Sequence, residues 1–551
     1  MKRLYEGEDL LLMLASRLKI FLLSLPLLVA GCGGVAVNSR GTDGAGQGAD
    51  GPTKAVNLPQ RQDGGAAAGK TVFRFETFGN EGFWTDAVRM PAGIKAAKVT
   101  PLQALQLGLS FDADALDATM RDTLAQQLAA DPTGTSSALL NDPAVTGKIV
   151  SANAVIGMPI KDSNGDGVLD IGKGDKAGVS CALCHTITDG SIFSMPNGGS
   201  IGHRIDGVTN HNLNVGKILA TGANSRALYP ILQLALKANG GKSLGRAPQG
   251  LTETSTEAEV DAYLSNPKYY PVGMFDDTFD GNGNPMHIQP LFRQDLAGPF
   301  GSEGTIARLD NFSNVVYTVL FDLTNLTAPG GRALLHKLAG PAGDEIADNY
   351  VKVLASTGVK GYPYVKAAQH PNPGSEEAFI GIRVDNGKLL DLNAYQVSLQ
   401  APAGQKGDMQ AMARGRQLFR ISGCTSCHNV DQSKAVPAFI VAMKDIFPGD
   451  RPVILAQRDP PLNAVQDTPN SFFDDKMVVL NASVRGDVRG IALPLLLDLA
   501  RKPVFLHDDT VPSLDKLLDP SRGEEAPHPF YLPDAKNRAD VVTFLRSLDT
   551  K

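Results

Sequence analysis

Two pentapeptides of the form Cys-X-X-Cys-His, Cys181-Ala182-Leu183-Cys184-His185 and Cys424-Thr425-Ser426-Cys427-His428, take up four of the chain's five cysteines. Two thiols on one tight turn can add to the two vinyl groups of a haem, and the imidazole of the next residue then lies under the iron as its proximal ligand. A zinc site made of two Cys-X-X-Cys pairs, or a pair of redox disulfides, would use the same thiols. Neither accounts for a histidine closing both motifs. The spacing therefore points to two covalently bound haem c groups, one on Cys181, Cys184 and His185, the other on Cys424, Cys427 and His428.

A second metal-type pattern precedes the first motif. Asp162, Asn164, Asp166 and Asp170 stand at positions 1, 3, 5 and 9 of a loop with Gly167 at position 6, the spacing by which a calcium loop wraps Ca2+ in oxygen ligands. Position 12 is Lys173 rather than the usual bidentate Glu. An incomplete calcium site and a plain Asx-rich turn are both open readings. A later cluster, Asp276, Asp277 and Asp280, reads as a turn.

The fifth cysteine bears on the compartment. Phe21 to Gly31 is a short apolar run ending Leu28-Val29-Ala30-Gly31-Cys32 and preceded by Arg17 and Lys19, the pattern of a lipoprotein signal with Cys32 as the lipidated residue. The run is about half of the roughly 20 residues that a spanning helix needs. Residues 1–31 are thus expected to be a signal peptide, with Met13 an alternative start because Glu6, Glu8 and Asp9 are unusual in a basic leader. Residues 32–70, rich in Gly, Ala, Asp and Gln, read as a disordered tether that cannot offset its own ordering entropy.

The motifs must be positioned by what remains. With 42% hydrophobic residues the chain can bury proper cores, and its 52 basic against 58 acidic side chains, with no dense basic run, give no footprint for nucleic acid. The turn-forming Ala401-Pro402-Ala403-Gly404 separates an N-terminal haem domain, 71–400, from a C-terminal one, 401–551. Asp408 to Arg420 reads as a helix running into the second motif, and Asp534 to Leu548 as a closing helix with Asp534 as N-cap. This pairing is similar to cytochrome c, whose first and last helices cross at a glycine and an aromatic; Gly415 and Phe419 stand where that crossing would be. In the larger N-terminal domain Asp112 to Ala130 is an amphipathic helix candidate, whereas Asn311 to Leu326 has no clear period. The expected fold class is mainly α: two cytochrome c-like haem domains, the N-terminal one enlarged by insertions, with irregular loops set by 58 Gly and 35 Pro. No internal repeat is visible beyond the motifs themselves.

Two haem motifs in one exported chain, with Ser200-Ile201-Gly202-His203 after the first and Phe505-Leu506-His507-Asp508-Asp509-Thr510-Val511 near the end, resemble the bacterial di-haem cytochrome c peroxidase superfamily, which also holds the methylamine-utilisation di-haem enzyme and the rubber oxygenases. The resemblance implies a peroxidatic N-terminal haem and an electron-transfer C-terminal haem. It makes His203 the first candidate for the distal side of the first iron, as ligand or as pocket wall, ahead of His211 and Met195. For the second iron it favours His528, with His507 and Met477 as fallbacks, giving two imidazoles and a lower potential than His/Met ligation. Glu303 partly echoes the family's acidic group over the peroxidatic haem, although a solvated glutamate is the plain alternative. The family's tryptophan between the haems has no counterpart, since the only Trp, Trp84, precedes the first motif.

The expected function is therefore that of a di-haem c-type cytochrome, lipid-anchored on the periplasmic side of the cell envelope at the outer membrane. It would transfer electrons and reduce hydrogen peroxide at the N-terminal haem. Its expected partners are a small redox protein or quinol-chain electron donor and a second copy in a homodimer. A pure electron relay and haem-dependent oxidation of an organic substrate are the alternatives, and an open coordination position on one iron separates enzyme from relay.

Overall fold

The computed structural model describes residues 53–54, 61, 63–232, 251–267, 270–275, 286–297, 300–301, 306–426, 428, 439–442, 473–474, 479–480, 490–492, 494–506, 511–523, 526, 528 and 530–549. The lipoprotein signature with Cys32 lies outside them, as do Glu303, Cys427, Met477, His507 and the Asp276–Asp280 cluster. No helix among the described residues is long and apolar enough to cross a membrane.

The expectation of a mainly α fold made of two cytochrome c-like domains is not met. Helices hold 46% of the chain and strands 8%, a mixed content that does not resolve into such a pair. The strands form sheets of only two or three short members, such as Phe111–Asp112 beside Ser200–Gly202 beside Phe193–Ser194. Strands of two or three residues complete too little of a period-2 alternation to register as a sequence pattern. Such strands are fixed by distant partners instead, as Phe111 and Asp112 are by Ile201 and Gly202.

Several helices do sit where their end signals place them. Asp408 caps the Met409–Ile421 helix by accepting from Gln410 N–H at 2.9 Å, and Asp534 caps Ala535–Arg546 by accepting from Asn537 N–H at 2.8 Å. Asp117 starts the helix expected from Asp112, which runs Ala118–Ala130, while Asp112 itself is in a strand. The aperiodic stretch from Asn311 becomes a short α-helix, a π-turn and a 3-10 turn in succession, Leu309–Val315, Val316–Leu320 and Leu323–Thr327.

Two helix crossings frame the two motifs. The Met409–Ile421 helix meets Ala535–Arg546 at Gly415, where a Cβ would overlap the Asp540 carbonyl and come within 2.8 Å of Phe544 Cβ. The Phe419 and Phe544 rings close this contact at 5.8 Å, and Arg414 grips the Asp540 carboxylate with two bonds of 2.7 and 2.9 Å. The Ala66–Phe75 helix meets Asn386–Ser398 in the same way at Gly69, where a Cβ would overlap the Asp391 carbonyl and come within 2.8 Å of Tyr395 Cβ. Phe73 and Tyr395 pack edge to face at 5.5 Å. The Gly-x-x-x-Phe and Asp-x-x-x-Tyr/Phe spacings are thus used twice, a correspondence hidden by insertions of different length. It also shortens the tether, because Ala66–Gly69 are helical; small residues that read as linker are what let two helix backbones touch.

The apolar cores follow this division. Phe73, Leu389, Leu392 and Tyr395 form one cluster with Tyr317 and Ala182, whereas Phe419, Phe505, Leu514, Leu532 and Phe544 form another. A small seam of Val208, Phe292, Ala401 and Leu497 joins segments from both sides of the boundary expected near 400.

Candidate haem sites

Local backbone geometry shapes the first motif. Ala182–His185 is a single helical turn, with His185 N–H bonded to Cys181 O at 3.2 Å. Gly157, at φ 80°, passes so close beneath it that a Cβ there would overlap the Leu183 backbone. Cys181 and Cys184 are free thiols, and burial pushes them up to about 11 and about 12. Cys181 Sγ lies 3.4 Å from the hydroxyl of the fully buried Tyr317. Burial also holds His185 down to about 4, with the Gln289 backbone opposing the shift, and its Nδ1 is buried without a hydrogen-bond partner. Two unjoined thiols one turn apart beside a neutral imidazole are the donor set that a covalent haem uses, so the residues fit that group.

His203 is not brought to His185. The Thr186–Thr188 strand pairs antiparallel with Arg204–Asp206, Thr186 facing Asp206 and Thr188 facing Arg204, so His203 lies opposite Asp189. That is four residues beyond His185, roughly 13 Å at about 3.3 Å per residue. Its exposed ring sits 3.0 Å from Asp114 Oδ1, and its backbone N–H donates to Asp189 Oδ1 at 2.9 Å. His211 is half-buried, and desolvation, followed by the charge of Lys502, holds it down to about 4. Neither His203 nor His211 makes a ring contact with His185 among the described residues.

The second motif is built differently. Gly423, at φ 82°, ends the preceding helix and turns the chain into Cys424–Ser426, and His428 N–H bonds Cys424 O at 2.9 Å. The imidazole of His528, from the closing Pro-rich segment, stands opposite that of His428 with ring centres 6.3 Å apart and planes at 49°. Two metal–nitrogen bonds of about 2.0–2.1 Å on one axis, with the half-widths of two five-membered rings, span roughly that separation. Phe419 flanks His428 at 6.4 Å and Phe530 flanks His528 at 5.1 Å. Burial keeps both imidazoles neutral, at about 4 for His428 and about 3 for His528, the latter pushed further by His428 and Arg522. Nδ1 of each is buried without a hydrogen-bond partner. His528 also adopts φ 58°, the left-handed region that a non-glycine enters at a cost of order 1 kcal/mol.

Between the motifs, His287 packs against the second half of the chain. Its Nε2 is 2.7 Å from Lys502 Nζ and its Nδ1 is 3.2 Å from Leu506 O. An ammonium can only donate, so Nε2 is the acceptor and Nδ1–H donates to the carbonyl. Trp84 is buried beside the strand leading into Cys181, its neighbour Thr85 exchanging hydrogen bonds of 3.0 and 2.9 Å with Ala177.

The Asp-rich loop is wrapped. Gly165 and Gly167 take φ 77° and 78°, and Asp162 accepts from both of their N–H groups at 2.7 and 2.9 Å. The closing carboxylate is Asp175, two residues beyond the expected position, which accepts from Ser163 and Asp170 N–H at 2.9 and 2.7 Å. These oxygens serve the loop's own backbone, and among the described residues no group of three or more His, Cys, Asp and Glu side chains converges as a metal cluster. Sequence reasoning missed Asp175, Tyr317 and the Gly69 crossing; only the last left a trace, in its spacing.

No protein-family model matches the chain, and no curated protein is found similar to it. Among solved structures, hydrazine synthase of Kuenenia stuttgartiensis, pressurised with xenon at 20 bar, is similar over 50% of this chain and 75% of its own, with 14% identity and a TM-score of 0.23. A likeness at that score carries no argument. The resemblance to the di-haem peroxidase superfamily therefore rests on the motifs in the sequence.

Proposed function

We propose that the chain is a di-haem c-type cytochrome of the cell envelope, lipid-anchored through Cys32 on the periplasmic side, which receives electrons at the motif ending in His428 and reduces hydrogen peroxide at the motif ending in His185. The carrying observation is the asymmetry between the motifs: His528 faces His428 at 6.3 Å, while no second imidazole stacks on His185 among the described residues. A haem iron supplies one-electron redox chemistry, and with an open position it also binds small oxidants. The chain's own part is to hold His185, His428 and His528 neutral by burial, the form in which an imidazole ligates. At the second motif His428 and His528 would hold the haem iron between two imidazoles, which would restrict that haem to electron transfer. Reduction of one peroxide to two waters takes two electrons and two protons. Glu303 is the proposed proton donor, and a small redox protein or the quinol chain is the proposed source of electrons.

The test combines mass and spin state. Intact protein exported with a haem-attachment system should carry two haem increments, and Cys181→Ala/Cys184→Ala should remove one of them. Electron paramagnetic resonance should then show one high-spin and one low-spin iron, and the half-reduced protein should consume peroxide faster than a simple electron-carrying cytochrome. Two low-spin irons without peroxide turnover would assign the chain to electron relay alone.

A further inference from the structure

A cavity of about 790 Å3 lies between the Met90–Ala96 and Pro143–Ser151 helices, its wall completed by the Asp-rich loop before the first motif. Its volume falls within the roughly 300–1,000 Å3 of small-molecule sites, whereas close-packed interiors leave few voids larger than a water. Its deep lining is apolar: Met90, Leu109, Phe111, Ile149, Val155 and Met158, each 8% exposed or less. Such a wall offers water few of the hydrogen bonds it needs, so the space suits an apolar occupant. Val168, 57% exposed, together with Leu169 and Ile171, forms the loop's share of the wall.

The polar groups of the lining are mostly spoken for. Thr146 donates its hydroxyl to Val99 O at 2.6 Å, Ser151 Oγ accepts from Ile171 N–H at 3.4 Å, and Asp170 accepts from Gly172 N–H at 2.9 Å while pairing with Lys173 at 3.4 Å. That leaves three exposed lysines on the lining, Lys95, Lys98 and Lys148, with no ion pair among the described residues. An apolar interior edged by unmatched ammonium groups is complementary to one kind of molecule. We infer that this cavity binds a single-chain amphiphile with a carboxylate head, a long-chain fatty acid, its chain among Met90, Phe111, Ile149 and Met158 and its head at Lys95, Lys98 and Lys148.

Gly147 provides the test. It lines the cavity on a helix, and a Cβ there meets nothing within 4 Å, so a bulky side chain can fill the space without displacing a neighbour. Binding is measured by calorimetry on the full-length holoprotein with palmitate, hexanoate, 1-hexadecanol and phosphatidylglycerol vesicles. Palmitate should bind one to one. Hexanoate should not bind, since ten fewer methylenes remove most of the apolar contribution at about 0.8 kcal/mol each. Gly147→Phe should weaken palmitate at least about tenfold, and Lys95→Gln/Lys98→Gln/Lys148→Gln should weaken it about tenfold while leaving hexadecanol unchanged, as expected for losing a charge-assisted contact. If Gly147→Phe does not melt cooperatively, Ala144→Leu on the same wall replaces it. Failure of wild type to bind palmitate, undiminished binding by the filled variant, undiminished binding by the triple-glutamine variant, or uptake of vesicles without palmitate would each overturn the inference.

Discussion

The imidazoles of His428 and His528, a hundred residues apart in the chain, face each other with ring centres 6.3 Å apart. His528 reaches that position through a left-handed backbone at φ 58°, and Arg522 reaches both its carbonyl, at 3.5 Å, and that of Leu517, at 3.2 Å. Strain of this kind persists only where the surroundings over-determine it. Among the described residues these surroundings are the Arg522 guanidinium, the Phe530 ring beside His528 and the Phe419 ring beside His428.

Removing one member of this pair should change one haem only. In His528→Ala the second iron is expected to lose its sixth ligand, to gain a high-spin signal and to bind carbon monoxide when reduced, with the first haem's spectrum untouched. Electron paramagnetic resonance and carbon monoxide difference spectra read this directly. A variant that stays low-spin at both irons would show that His528 is not the axial ligand.

His203 should behave as a surface residue. Its hydrogen bond and attraction to Asp114 raise it above the ordinary histidine value of 6.5. A histidine raised in the folded state adds stability that is complete below its unfolded value and is lost as pH rises through its folded value. His203→Ala is therefore expected to melt below wild type in acid and level with it in mildly alkaline buffer, with both haem spectra unchanged. A spectral shift at the first haem would instead return His203 to that iron.

The two glycine crossings should be intolerant of side chains. Gly69→Val and Gly415→Val each drive a Cβ into a backbone carbonyl of the facing helix, Asp391 and Asp540. Each should cost about 2–3 kcal/mol or more, the upper part of the range for overpacking. Gly147→Ala, where the Cβ meets open space, should be neutral or stabilise by up to about 1 kcal/mol through helix propensity. Urea unfolding of the three variants separates these outcomes.

Calcium is expected to act through the Asp162–Asp170 loop, whose backbone Asp175 braces by accepting from Ser163 and Asp170 N–H. Binding there should raise the melting midpoint by mass action, worth about 2.7 kcal/mol when calcium is a hundredfold above its dissociation constant. Asp162→Ala should abolish the response. A midpoint indifferent to both calcium and chelator would identify the loop as an Asx-rich turn held by its own backbone.

The sequence by itself determined the chemistry that adjacent residues can perform. Cys-X-X-Cys-His places two thiols and an imidazole within one turn whatever surrounds them, and Asp408 and Asp534 start their helices because a cap acts on backbone two or three residues away. The Asp-rich loop was legible for the same reason, up to its closing residue. What depended on long-range packing was decided only by the tertiary structure. His203 looked adjacent to the first site on family pattern, yet a strand register carries it four residues along the sheet and out to Asp114. The Gly69 crossing shares its spacing with the one expected at Gly415, yet it pairs with Asp391 from a far later part of the chain, and no local period records such a pairing. The mixed helix-and-strand content escaped the sequence because two-residue strands are defined by their partners rather than by their own alternation. The resemblance favours His528 for the second motif, but that its ring faces His428 at 6.3 Å is a matter of long-range packing that only the tertiary structure supplies.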